Sequence, residues 1–167
     1  MVKRKEISFF LQEYDDVSEL PLNEQQLLNK ASGAALDAYA PYSEFKVGAA
    51  ILLDNGKIVI GNNQENAAYP SGLCAERVAV FSACAQYPHE KIKAIAVTAY
   101  SAKVNISFPV PPCGACRQAL SEYEGRYQNP IKLILRGEVG KILTVDSVAS
   151  LLPLTFSNSS MGEVAGY

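Results

Sequence analysis

Apolar residues change their spacing several times along the chain, and each change marks an element. Leu27, Leu28, Ala31, Ala35 and Leu36 recur at helical spacing. Asn23 followed by Gln26 reads as a capping box that opens this helix, and Pro41 closes it. The run "FKVGAAILL" (45–53) reads as a buried strand, "DNG" at 54–56 as a hairpin turn, and "KIVIGNN" as the return strand. After the turn at Pro70–Gly72, residues 74–87 resume helical spacing, with Val78, Phe81 and Ala85 on one face. "IKAIAVTAY" is continuously apolar, as a strand covered on both faces must be. Pro111 and Pro112 keep the preceding backbone out of helix, so a further helix runs from about Cys113 to Tyr123. "IKLILR" predicts another strand, and a short helix near 146–151 stops at Pro153. Residues 1–20 form an arm of mixed character, with "EISFFLQEY" a weak strand candidate.

Helices interleaved with strands in this order predict an α/β fold, a three-layer α-β-α sandwich around a mixed sheet of about five strands. Its 167 residues fit one domain over 1–167, with the arm 1–20 unassigned. No repeat, low-complexity tract or Gly/Ser linker marks a second one.

Composition narrows the partners. The net charge is −2, and the only basic cluster, Lys3, Arg4 and Lys5, reads as a solvated terminus. A groove that tracks polynucleotide phosphates needs a basic stripe, so nucleic acid is not the expected partner. No apolar run approaches the roughly 20 residues of a membrane span. "ISFFL" is too short for a signal-peptide core. These features predict a soluble, cytoplasmic protein without a membrane partner. Four cysteines are too few for a secreted disulfide scaffold, so they are expected to be thiols or metal ligands.

Three of the four sit where a loop enters a helix: Cys74 in "CAER", and Cys113 with Cys116 in "PCGAC". Free backbone N–H groups and the helix dipole stabilise thiolates there. Three converging thiolates leave a tetrahedral Zn²⁺ with an open fourth position, the pattern of a catalytic site. The lone His89, in the polar turn "QYPHEK", reads as a surface residue, and Cys84 as a small core residue in mid-helix. Glu76 can move a proton beside such a metal, although an isolated glutamate in a first turn would ordinarily just complement the helix dipole. Three thiolates around Zn²⁺ carry a net negative charge. Arg77 can offset it through hydrogen bonds to sulfur; the alternative is an ordinary surface salt bridge.

With both motifs in view, the chain resembles the short, zinc-dependent, three-cysteine cytidine deaminases. The ordered pair Cys74-Ala75-Glu76 and Pro112-Cys113-Gly114-Ala115-Cys116 matches the zinc deaminase signature, with cysteine in the first ligand position. The resemblance extends over residues 25–156 and implies one Zn²⁺ per chain on Cys74, Cys113 and Cys116. It implies Glu76 as the acid/base and a nucleoside substrate. "PYSEFKVGAA" implies that Phe45 packs on the pyrimidine, and "NNQENAAY" that Asn63 and Glu65 bind the ribose hydroxyls. The same family pattern brings Tyr69 towards a neighbouring subunit's site and has the Ala75 backbone contact the base. It also implies a homotetramer that hydrolyses cytidine, and deoxycytidine, for pyrimidine salvage. Read without the family, Phe45 would be a core residue, and Asn63 and Glu65 a polar loop. "LLPLTF" matches the family's end segment, including Phe156, but "SNSSM" lacks the Gly-Pro expected next.

Three rival readings remain. A different cytosine nucleoside would use the same centre, a polynucleotide deaminase would need the missing basic groove, and a dithiol oxidoreductase would use Cys113 and Cys116 alone. The last leaves Cys74, Glu76 and Arg77 without a task. A purely structural zinc module lacks a fourth ligand.

Overall fold

The computed structural model describes residues 2–157 and 160. "SNSSM" (157–161) therefore lies largely outside the described residues.

Among the described residues, six strands form one sheet: β1 (Gln12–Tyr14), β2 (Phe45–Leu53), β3 (Ile58–Asn62), β4 (Ile92–Ser101), β5 (Lys132–Arg136) and β6 (Ile142–Val145), in the order β1-β6-β5-β4-β2-β3. Only β4 and β5 run parallel. Helix α1 (Leu22–Leu36) covers one face; α2 (Ala75–Gln86) and α3 (Gly114–Tyr127) cover the other. The three-layer reading holds, with six strands instead of about five. The extra strand is β6, a four-residue "ILTV" too short to stand out as a pattern. β1 occupies only residues 12–14 of the expected "EISFFLQEY" stretch, pairing Gln12 with Thr144 at the edge. Ile7, Phe9 and Phe10 before it stay exposed.

Alternation along β2 and β4 divides the core in two. Ala49, Ile51, Ile95 and Val97 face α2 and α3, whereas Ala50, Ala94 and Ala96 face α1. Two close approaches set the helices. A Cβ on Gly48 would lie 2.0 Å from the Ala31 carbonyl oxygen, and one on Gly61 would lie 2.5 Å from the Ala79 nitrogen. Glycine at these positions lets backbone meet backbone.

Several local expectations change. No side chain caps α1: it begins after Pro21, whose carbonyl accepts from Glu24 and Gln25, so the Asn23–Gln26 capping box is not formed. The helix ends at Leu36, five residues before Pro41, and Leu36 itself is exposed. On α2 the buried face is Ala75, Ala79, Val80, Ala83 and Cys84, not Val78, Phe81 and Ala85. Small residues win the inward face because the helix sits so close to Gly61. Phe81 turns outward to meet the Tyr123 ring at 6.4 Å. Helix α3 runs on to Tyr127, past the expected end at Tyr123, and Gln128 closes it in the left-handed region at φ 48°. The last short helix is a 3₁₀ turn, Val148–Leu151.

Candidate metal centre

Both crossovers, β3–α2–β4 and β4–α3–β5, lie over the same face, so α2 and α3 begin at the same edge of the sheet. Cys74 is the N-cap of α2 and Cys113 the N-cap of α3, and neither sulfur is spent on capping its helix. Cys116 lies in the first turn of α3 and is fully buried. The Sγ atoms of Cys74 and Cys113 are 3.8 Å apart, those of Cys113 and Cys116 3.4 Å, and all three ligand atoms fall within 4.8 Å of one another. Tetrahedral Zn²⁺ with bonds of about 2.3 Å spaces its sulfurs by about 3.8 Å, so the cluster fits a zinc site.

The protons on this cluster are unevenly held. Hydrogen bonding from Cys116, then from Cys113 and Arg77, brings the Cys74 thiol down to about 5 against the cost of its burial. Cys116 moves the other way, raised by its interaction with the Cys74 sulfur and by its burial. Burial opposes the charge of Arg77, but the hydrogen bond to Cys74 and the charge on the sulfurs outweigh it and raise its pKa. The Arg77 Nε is buried without a hydrogen-bond partner, beside a cluster whose charge it can offset. Glu76 is 4% exposed, and burial raises its carboxyl above the usual range.

These groups close one end of a cavity of about 780 Å³, onto which Cys74, Glu76, Arg77 and Cys113 all open. Phe45, Asn63, Glu65 and Tyr69 line the same cavity. Phe45 starts β2 directly opposite Ser101, the last residue of β4, and is half-buried on the wall, not in the core. Asn63 follows β3. Its Oδ1 accepts from the Val47 N–H at 2.7 Å and its Nδ2 donates to the Phe45 carbonyl at 2.9 Å. One amide hydrogen and one lone pair remain for a ligand.

Glu65 is tied just as firmly. Its carboxylate accepts from the N–H groups of Tyr42 at 2.8 Å and Ser43 at 3.3 Å and from the Ser43 hydroxyl at 2.5 Å. The hydroxyl contributes most to holding this carboxyl below its usual range. Tyr69, 75% exposed, packs edge-on against Tyr42 at the rim. Ala75 is fully buried in the core beneath α2. Phe156 and His89 border a separate groove, and Cys84 packs in the core, as read for the latter two. Ser43 and Arg117 were not singled out from the sequence. Ser43 lies inside "PYSEF" and Arg117 directly after Cys116, so position within the motifs was the available signal.

A family model of the cytidine and deoxycytidylate deaminase zinc-binding region matches residues 22–127. The chain belongs to the cytidine deaminase family. Among relatives of this cytidine deaminase-family chain, the cytidine deaminase of Halalkalibacterium halodurans is 38% identical over 142 residues, 85% of this chain and 100% of that one. The cytidine deaminase of Sporosarcina psychrophila is 38% identical over 84% of this chain and 96% of its own length. Among solved structures, cytidine deaminase from Burkholderia pseudomallei superposes with a TM-score of 0.68 at 39% identity, covering 78% of this chain and 97% of that one. The Mycobacterium tuberculosis enzyme gives 0.62 at 33% identity, covering 81% and 98%. With the family shown, the two-cysteine redox reading falls: three thiols converge here, with an acid and a cation beside them.

Proposed function

We propose that the protein hydrolyses cytidine, and deoxycytidine, to uridine or deoxyuridine and ammonia, as a cytoplasmic enzyme of pyrimidine salvage. The observation that carries this reading is Glu76 buried beside three converging sulfurs, at the end of a cavity whose walls hold Phe45, Asn63 and Glu65. Cys74, Cys113 and Cys116 would hold the zinc, and Arg77 would offset their charge. When bound, zinc supplies a Lewis acid that makes water nucleophilic at neutral pH.

The chain's own residues do the rest. Glu76 takes a proton from the water attacking C4, passes it to N3, and carries the second proton to the amine leaving C4. Phe45 stacks on the ring and the Ala75 backbone contacts it. The free hydrogen of Asn63 and the last open acceptor site of Glu65 pair with the ribose hydroxyls, and such pairing selects against substrates that lack them. Tyr69 at the rim, and Phe81, 42% exposed on α2, favour a homotetramer that covers these rings. Sedimentation of the purified protein checks that assembly.

The deciding experiment is an ultraviolet assay of cytidine and deoxycytidine loss on zinc-quantified protein. Turnover of both with one zinc per chain is expected. Zinc-loaded protein that leaves both nucleosides intact, or acts faster on single-stranded nucleic acid, overturns the reading.

A further inference from the structure

Arg117 follows Cys116 and takes no part in the chemistry above. Its Nε donates to the Pro112 carbonyl at 2.8 Å, and its Nη1 donates to the Leu151 carbonyl at 3.0 Å. Pro112 is buried and immediately precedes Cys113. Because the peptide unit is planar, fixing the Pro112 oxygen fixes the plane from which the Cys113 backbone departs.

The two N-cap cysteines reach the cluster differently. Just before Cys74, Leu73 exchanges two backbone hydrogen bonds with Gln64, both 2.9 Å. Cys113 instead ends a stretch, residues 102–113, that runs without helix or strand. Arg117 supplies that stretch with a fixed point from the side.

The other anchor is itself rigid. Leu151 ends the 3₁₀ turn, whose first N–H groups, Val148 and Ala149, donate to the Glu124 carboxylate at 2.9 and 3.2 Å. Ser147 donates its hydroxyl to the same carboxylate. Glu124 lies two turns beyond Arg117 on α3. Gln118 adds a donor to the Phe156 carbonyl at 2.8 Å. The segment from Val148 to Phe156 is thereby fastened to the helix that starts at the cluster.

We propose that Arg117 is a positioning residue that sets Cys113 at the metal centre by bridging the Pro112 and Leu151 carbonyls, which rests on the reading that Cys74, Cys113 and Cys116 hold zinc. A planar guanidinium presents several donors in a fixed fork, so it spans two carbonyls at once; an ammonium cannot reproduce that geometry. Groups that orient a ligand in this way are commonly worth ten- to a hundred-fold in metal affinity.

The test compares unaltered protein with Arg117→Ala and Arg117→Lys in three measurements. These are zinc release to a chromophoric chelator, the thiolate-to-cobalt charge-transfer band of Co²⁺-loaded protein, and the rise in melting temperature that zinc produces. Arg117→Ala is expected to release zinc at least about ten-fold faster, to weaken the cobalt band, and to shrink the zinc-induced rise. Arg117→Lys is expected to fall between, and it decides alone if the alanine variant does not fold. Release within two-fold of the unaltered protein and an unchanged cobalt band in the folded variants overturn the proposal, even if both melt earlier. Unaltered protein that holds no zinc overturns the metal-centre reading and takes this proposal with it.

Discussion

At one end of the cavity three sulfurs sit on two helix starts; at the other, a carboxylate and an amide hold a loop. The sulfur end is built from short motifs packed on the sheet: Ala75 and Cys116 are fully buried, and Gly61 admits α2 at backbone contact. The loop end is built from hydrogen bonds between residues 22 and 23 apart in sequence, at exposed positions. Glu44, in the left-handed region at φ 54°, turns the chain between Ser43 and Phe45 there. Helix starts fixed on the sheet at one end and hydrogen-bonded loop clamps at the other teach where a substitution should act. Losses at the sulfur end should appear in turnover as all or nothing, and losses at the loop end as graded changes in KM.

The largest effect comes from the metal. Stripping it with a strong chelator, or making Cys113→Ala, is expected to lower turnover by about 10⁴-fold or more, since a Lewis acid stabilises the transition state by several kcal/mol. Metal analysis beside the ultraviolet assay checks this, and zinc-free protein at normal rates would break the contrast outright. Glu76→Gln comes next. It keeps the side chain's size but cannot carry a proton, so kcat is expected to fall about 10³-fold while zinc stays at one per chain. Residual turnover near the unaltered rate would assign the proton transfers elsewhere.

The same division decided how much could be read from sequence. Cys74, Cys113 and Cys116 were legible because each motif spans at most a few residues and places its sulfur at a helix start. The long strands β2 and β4 were legible because burial on both faces leaves continuous apolar runs. What failed depended on distant partners. Nothing local to Val78 and Phe81 says that Gly61 brings the Ala75 and Ala79 side of α2 inward. Nothing within "ILTV" says that β6 pairs with both β5 and β1. Ser43 and Arg117 gain their roles only when Glu65, Pro112 and Leu151 are brought to them by the fold. Asn23 and Gln26 had the spacing of a capping box, but the Pro21 carbonyl already starts the helix two residues earlier.

At the loop end, Glu65→Gln is the stronger perturbation. It removes the charge that the Tyr42 and Ser43 donors share and leaves an amide group facing one of them. A hydrogen bond to a charged group is worth about 1.5–3 kcal/mol, so KM for cytidine is expected to rise at least about ten-fold, with kcat changing less. A fall in kcat matching that of Glu76→Gln, with KM unchanged, would erase the distinction between the two ends.

Ser43→Ala is the finest probe. The hydroxyl donates to Glu65 and accepts from the Phe45 N–H at 3.0 Å, so it links Phe45 to Glu65 across the cavity wall. Its removal leaves Glu65 two backbone donors, and water can reach the exposed Phe45 N–H in its place. The lost bond ends on a charged carboxylate, but the two backbone donors and water at this exposed position offset most of it, which leaves a net loss of about 0.5–1 kcal/mol and a rise in KM of about two- to five-fold. Ser43→Thr, which restores the hydroxyl, should recover most of it. A rise as large as that of Glu65→Gln, unrescued by threonine, would mean that the loop is held through Ser43 alone and that the clamp is no more distributed than the metal end.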